Sequence, residues 1–174
     1  MTFWGSNGIQ SNVWTPSKPV KQDGFAKHNF NFGSSFNDSF TQTGFFNTNT
    51  AFGNAGRDSF NMGGFFNHNN TYGGTGSDFF EMGGNYNTNT AQGGSGNDTF
   101  IVEQGKNNTN YINGGEGFDS VMLKGNKSDY ISYKDDKGSH YYNKDNNSWT
   151  HLQDVENVFF SNFNVRGMST VKNS

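Results

Sequence analysis

The chain has 174 residues, one domain's worth, with a formal net charge of −3, 30% hydrophobic and 17% aromatic residues and no cysteine. The missing cysteines exclude a disulfide framework. The near-neutral charge, without Lys/Arg clusters among the aromatics, argues against nucleic acid as a partner, and no apolar run is long enough for a transmembrane helix. Glycine (24), phenylalanine (19) and asparagine (28) dominate. Aromatics are too many and net charge too small for a disordered chain, so this composition predicts many tight turns around a narrow aromatic core.

In chain order, residues 1–32 come first. They hold Trp4, Trp14, Phe25, Phe30 and Phe32 among polar residues, with Pro16 and Pro19. No basic segment followed by an apolar stretch marks a secretory signal peptide here. This segment is expected to be an N-terminal cap or an arm that docks on another subunit.

Residues 33–123 are a repeat. Asp38-Ser39-Phe40, Asp58-Ser59-Phe60, Asp78-Phe79-Phe80 and Asp98-Thr99-Phe100 recur every 20 residues, and Asp119-Ser120-Val121 follows after 21. A second half-unit alternates with the first: Gly44, Gly64 and Gly84; Asn47, Asn67, Asn87 and Asn107; Asn49, Asn69 and Asn89. A period of 20 is too short for a helix pair or a propeller blade. It fits one solenoid coil of two short strands and two turns, stacked about 4.8 Å from the next. Strand alternation puts Asn47, Asn49 and Ala51 with their equivalents inward, and the variable set Thr48, Thr50, Phe52 outward. Phe40, Phe60, Phe80 and Phe100 form the expected apolar spine, with Met62, Met82 and Val102 two residues on.

The turn before each Asp is glycine-rich. It reads Gly73-Gly74-Thr75-Gly76-Ser77-Asp78, then Gly93-Gly94-Ser95-Gly96-Asn97-Asp98, then Gly114-Gly115-Glu116-Gly117-Phe118-Asp119, with a weaker copy at Gly53-Asn54-Ala55-Gly56-Arg57-Asp58. These copies resemble the G-G-x-G-x-D-x-U-x nonapeptide of the repeats-in-toxin (hemolysin-type) calcium-binding β-roll. The resemblance implies an all-β, right-handed parallel β-roll or β-solenoid, with about three or four Ca²⁺ ions between neighbouring turns. The implied metal residues are Gly53, Gly56, Asp58, Gly73, Gly74, Gly76, Asp78, Gly93, Gly94, Gly96, Asp98, Gly114, Gly115, Gly117 and Asp119, with Asp38 as a half-site. Family members carry the motif on every half-coil; here it occurs once per coil, so all ions are expected on one edge. Phe36 replaces the third glycine of the Asp38 turn, and one extra residue must bulge out between Asp98 and Asp119. The opposite edge carries stacked asparagines expected to hydrogen-bond along the solenoid.

Residues 124–174 lose the glycines. Asp129-Tyr130-Ile131-Ser132-Tyr133 and His140-Tyr141-Tyr142 around Lys134-Asp135-Asp136-Lys137-Gly138 predict a β-hairpin. Val155-Glu156-Asn157-Val158 resembles a strand near the C-terminal end of repeats-in-toxin domains, where the family often has an uncleaved export signal. The expected function is an extracellular or cell-surface module that folds on calcium, leaves the cell by type I export, and serves as an adhesin, surface or fibre subunit, partnered by copies of itself. The alternative is a virion decoration protein docked on a surface or virion partner; ice binding through the Thr48/Thr50 and Thr88/Thr90 face ranks lower because His68 and Asn70 break the array. Four scattered histidines, no catalytic motif and no expected deep pocket argue against an enzyme.

Overall fold

The computed structural model describes residues 9–13 and 19–161. Trp4, Trp14, Pro16 and the export-signal region beyond residue 161 lie outside the described residues. The chain is a β-solenoid of about 5 turns, about 20 residues apart. Its strands are β1 (Ile9–Val13), β2 (Val20–Gln22), β3 (His28–Phe32), β4 (Ser39–Gln42), β5 (Thr48–Ala55), β6 (Ser59–Met62), β7 (His68–Thr75), β8 (Phe79–Met82), β9 (Thr88–Ser95), β10 (Thr99–Val102), β11 (Thr109–Glu116), β12 (Ser120–Lys124), β13 (Tyr130–Asp135), β14 (Gly138–Asn143), β15 (Ser148–Gln153) and β16 (Asn157–Ser161). The odd strands β1 to β11 form one parallel sheet, and the even strands β2 to β12 form the other, closed by β16. Among the described residues, no helix is long and apolar enough to cross a membrane.

Alternation produces this arrangement. Every second residue of β4, β6, β8, β10 and β12 is buried, and the register repeats so that like sits on like. Phe40, Phe60, Phe80 and Phe100 stack with ring centroids 5.0, 4.8 and 4.7 Å apart. The core is thin, so each coil balances volume internally. Coils with Phe60, Phe80 and Phe100 carry small Ala51, Thr71 and Ala91 nine residues earlier. In the coil of Val121 that position is Ile112, restoring the lost ring volume. All of these residues belong to the buried core.

The asparagines expected inward are inward, and they form ladders. Asn29, Asn49, Asn69 and Asn89 each donate from Nδ2 to Oδ1 of the residue one coil on, ending at Asn110, at 2.7 to 2.8 Å. A second ladder runs through the turns. The Oδ1 of Asn67 accepts the Asn47 N–H, that of Asn87 accepts the Asn67 N–H, and that of Asn108 accepts the Asn87 N–H. Asn108 therefore takes the place expected for Asn107. The cause is the extra residue, which is exposed Gln104. Glu103 still bonds the Met82 carbonyl in register, whereas Gly105 already stands over Gly84. The insertion thus lies on the asparagine edge.

At the N-terminal side the ladder continues past the expected boundary at residue 33: Val20 pairs with Phe40, His28 with Thr48, and β1 with β3. At the other end the hairpin forms with a tighter turn than expected, since β13 and β14 leave only Asp136 and Lys137 between them. It is inserted within a last coil. β15 pairs parallel with β11 and antiparallel with β14, and β16 pairs parallel with β12.

Asn69→Leu removes one rung and leaves the Asn49 amide and the Asn89 carbonyl oxygen buried without partners. Each orphan costs about 1–3 kcal/mol, so equilibrium denaturation should show a loss of at least ~2 kcal/mol despite the gain in apolar volume; an unchanged midpoint would refute the ladder's contribution.

Candidate metal centre along the aspartate edge

Asp38, Asp58, Asp78, Asp98 and Asp119 form one column on the edge opposite the asparagine turns. Their side chains point inward. Asp58, Asp78, Asp98 and Asp119 are 1%, 2%, 1% and 0% exposed. In each, Oδ1 accepts the main-chain N–H of the Asp one coil earlier, at 2.7 or 2.8 Å. One carboxylate oxygen per coil is therefore committed to holding the adjacent coil in register.

The other oxygen has no protein partner. Oδ2 of Asp58, Asp78, Asp98 and Asp119 is buried without a hydrogen bond. Each lies over the first glycine of its own motif. A Cβ on Gly73 would collide with both Asp78 Oδ2 and the Gly93 carbonyl oxygen. The same two kinds of oxygen crowd Gly53, Gly93 and Gly114, the carbonyl at Gly114 coming from Asp154. Glycine is required there because a carboxylate and a carbonyl oxygen share the space a side chain would fill. The remaining motif glycines shape the turn. Gly74, Gly94 and Gly115, and Gly56, Gly76, Gly96 and Gly117, all have positive φ between 103° and 142°.

Electrostatics follow from that burial. Loss of water pushes the carboxyls of Asp58, Asp78 and Asp98 up from 3.8 to about 6, partly opposed by the N–H bond from the coil before, and the neighbouring aspartate raises them further. Asp119 is raised for the same first reason, with Glu156 and Asp154 adding negative charge beside it. At neutral pH Asp58, Asp78 and Asp98 are mostly ionised. Two oxygens of like partial charge then face one cradle with no proton between them.

The ends of the column differ from its middle. Asp38 Oδ2 accepts from the Ser34 N–H at 2.6 Å and the Ser34 hydroxyl at 3.0 Å, so protein donors satisfy it, and the turn closes without the later glycines. At the other end Glu156 stands in register with Asp119, and its Oε2 accepts the Asp119 N–H at 2.7 Å. Sequence spacing did not expose Glu156, because the hairpin separates it from Asp119 and a glutamate replaces the aspartate. The signal was present in the Val155-Glu156-Asn157-Val158 strand, which repeats the acid-then-strand order of each coil.

Among the described residues, no three acidic or histidine side chains converge on one point. A cation on this edge would have one carboxylate oxygen per turn available, and would need its other ligands from main-chain oxygens or water. That all-oxygen, negatively charged donor set suits a hard cation such as calcium. Comparison of the chain with protein-family models, curated proteins and solved structures returned no match.

Asp78→Asn keeps an Oδ1-type acceptor for the Asp58 N–H and places an amide donor where Oδ2 stood. Its metal-free melting temperature at pH 7.5 should rise by at least ~2 °C, on the basis of about 2–4 °C per kcal/mol for a chain of this size, while the rise on adding calcium shrinks. A lowered metal-free melting temperature would show that the ionised carboxylate is not the strained partner.

Proposed function

We propose that this chain is a calcium-clamped β-solenoid, a structural module of the extracellular space or cell surface that consolidates its fold when it meets calcium. One observation carries the reading: a row of buried carboxylate oxygens, one per coil, each set against a main-chain carbonyl and lacking a donor. The resemblance of the glycine-rich turns to the repeats-in-toxin motif agrees with it.

The residues that would hold calcium are Asp58, Asp78, Asp98 and Asp119 through Oδ2, with the carbonyl oxygens of Gly73, Gly93, Gly114 and Asp154 that share their cradles. Bound calcium supplies positive charge that offsets the desolvation of these carboxylates. The chain does the rest. The Oδ1 bonds keep the turns in register, the glycines admit the carboxylates, and Ser34 and Glu156 close the two ends of the column. Each tenfold excess of calcium over its Kd stabilises the fold by about 1.4 kcal/mol per site. A low-calcium cytoplasm therefore leaves the repeat loose enough to pass through an exporter, and calcium outside completes it. In that setting the rigid, repetitive surface serves adhesion or assembly.

The raised carboxyl values give this reading a pH signature. In the unfolded chain an aspartate ionises near 3.8, and in the fold Asp58, Asp78 and Asp98 ionise near 6. The folded state holds more protons between those values. Their contribution is fully present below about pH 4 and is lost as pH rises through 6. Asp135, held low by the His140 ring, and His151, lowered mainly by burial, contribute slopes of the opposite sign. Comparison with Asp98→Asn isolates the column. In chelator, melting temperature should fall from pH 4 to 7.5 more steeply for the native chain than for Asp98→Asn. Excess calcium should remove most of the difference, and calcium affinity should rise with pH through 6. A calcium-independent melting profile at pH 7.5 contradicts the proposal.

A further inference from the structure

A second candidate site lies on the outer face of the odd-numbered sheet, with one end beside the aspartate-edge turns, where Asn113 Nδ2 donates to Asp154 Oδ2 at 3.1 Å. The inserted hairpin curls there against the solenoid and forms one wall of a half-open cleft of about 550 Å³, although the repeat alone predicts no pocket. One register row crosses it. Thr90 pairs with Tyr111, Tyr111 with His151, His151 with His140, and His140 with Tyr133. The four rings touch in sequence. Tyr111 stacks on His151 at 5.0 Å, His151 meets His140 edge-on at 5.0 Å, and His140 stacks on Tyr133 at 4.6 Å.

The row is rigid. His140 is 6% exposed, its Nε2 bonds Asp135 Oδ1 at 2.8 Å, and its Nδ1 meets His151 Nδ1 at 2.7 Å.

The row stops abruptly. Tyr111 is 48% exposed, and the next position along it is Thr90, which has no ring to cover the second Tyr111 face. Beside that face runs a second row of amide side chains, Gln92, Asn113 and Gln153, paired across β9, β11 and β15. The only formal charges on the lining, Asp135 and Lys137, have opposite sign.

We propose that this cleft binds a neutral saccharide, its sugar face laid on Tyr111 and its hydroxyls bonded by the amide row. The electron-rich face of an aromatic ring attracts the slightly positive C–H edge of a pyranose. Amides both donate and accept, as paired hydroxyls require. A pocket of a few hundred Å³ with a ring wall and a few convergent polar groups is the usual form of a small-ligand site. None of the lining residues is among the proposed calcium ligands, and the titration below is run with calcium saturating, so either reading can fail alone.

The test is isothermal titration of the calcium-saturated full chain with malto-, cello-, xylo- and chito-hexaose, with a sulfated hexasaccharide and adenosine as competitors of other chemistry. At least one neutral hexaose should bind saturably. Tyr111→Phe should keep that affinity within about twofold, and Tyr111→Ala should weaken it about tenfold or more. Thr90→Phe serves if Tyr111→Ala fails to fold, because position 90 is the register partner of Tyr111, so the added ring covers the open face and should abolish binding at an unchanged melting temperature. Absence of binding by all four hexaoses, tighter binding of the sulfated sugar or of adenosine, or a neutral-sugar affinity indifferent to Thr90→Phe would overturn the proposal.

Discussion

A carboxylate removed from water and placed one coil spacing from the next is expensive unless something of opposite charge meets it. This fold stacks four of them. The asparagine ladders, the phenylalanine spine and the parallel register all put identical residues on top of one another. That stacking is favourable for amides, which both donate and accept, and for rings, which attract at an offset. For ionised aspartates it is unfavourable. The structure relieves half of the problem by giving each Oδ1 a main-chain N–H from the adjacent coil. The unrelieved half is Oδ2, buried without a donor in Asp58, Asp78, Asp98 and Asp119.

The two edges of the solenoid therefore have different characters. On the asparagine edge the stacked turn amides are answered within the protein: Asn67 and Asn87 each hold two carbonyls and one N–H. That edge sustains aromatic residues at positive φ, Phe46, Phe66 and Tyr86, stacked 5.0 and 4.7 Å apart. On the aspartate edge the protein supplies acceptors in excess of donors. Closure at Ser34 and Glu156 shows what a protein-only solution looks like: a hydroxyl and an N–H for the first carboxylate, and an unrelated acid receiving the last N–H.

Much of this was legible in the sequence. The 20-residue period announced parallel coils because a strict repeat stacks like on like, and alternation separated Asn49 and Ala51 from Thr48 and Thr50 by face. The spine of Phe40, Phe60, Phe80 and Phe100 was readable for the same reason. What escaped depended on position in space. Gln104 displaced the asparagine column by one residue, so Asn108, with the same side chain as its neighbour, was indistinguishable from Asn107. Glu156 lay beyond an insertion that broke the count. His140 and His151 are separated in the chain and meet only because β14 and β15 pair antiparallel, so nothing in their spacing pointed to their contact or to a cleft. The inward aim of the aspartates was also hidden, because a motif specifies the residues of a turn but not which of two oxygens remains free.

The most direct measurement is anomalous diffraction from crystals of the full chain grown with terbium in place of calcium. The account predicts a row of anomalous peaks along the aspartate edge, at the free oxygens of Asp58, Asp78 and Asp98, and none on the asparagine edge. Density without peaks there, with those oxygens within hydrogen-bonding distance of the Gly73, Gly93 and Gly114 carbonyls, would mean that the carboxyls are protonated in the fold and that no ion holds the coils together.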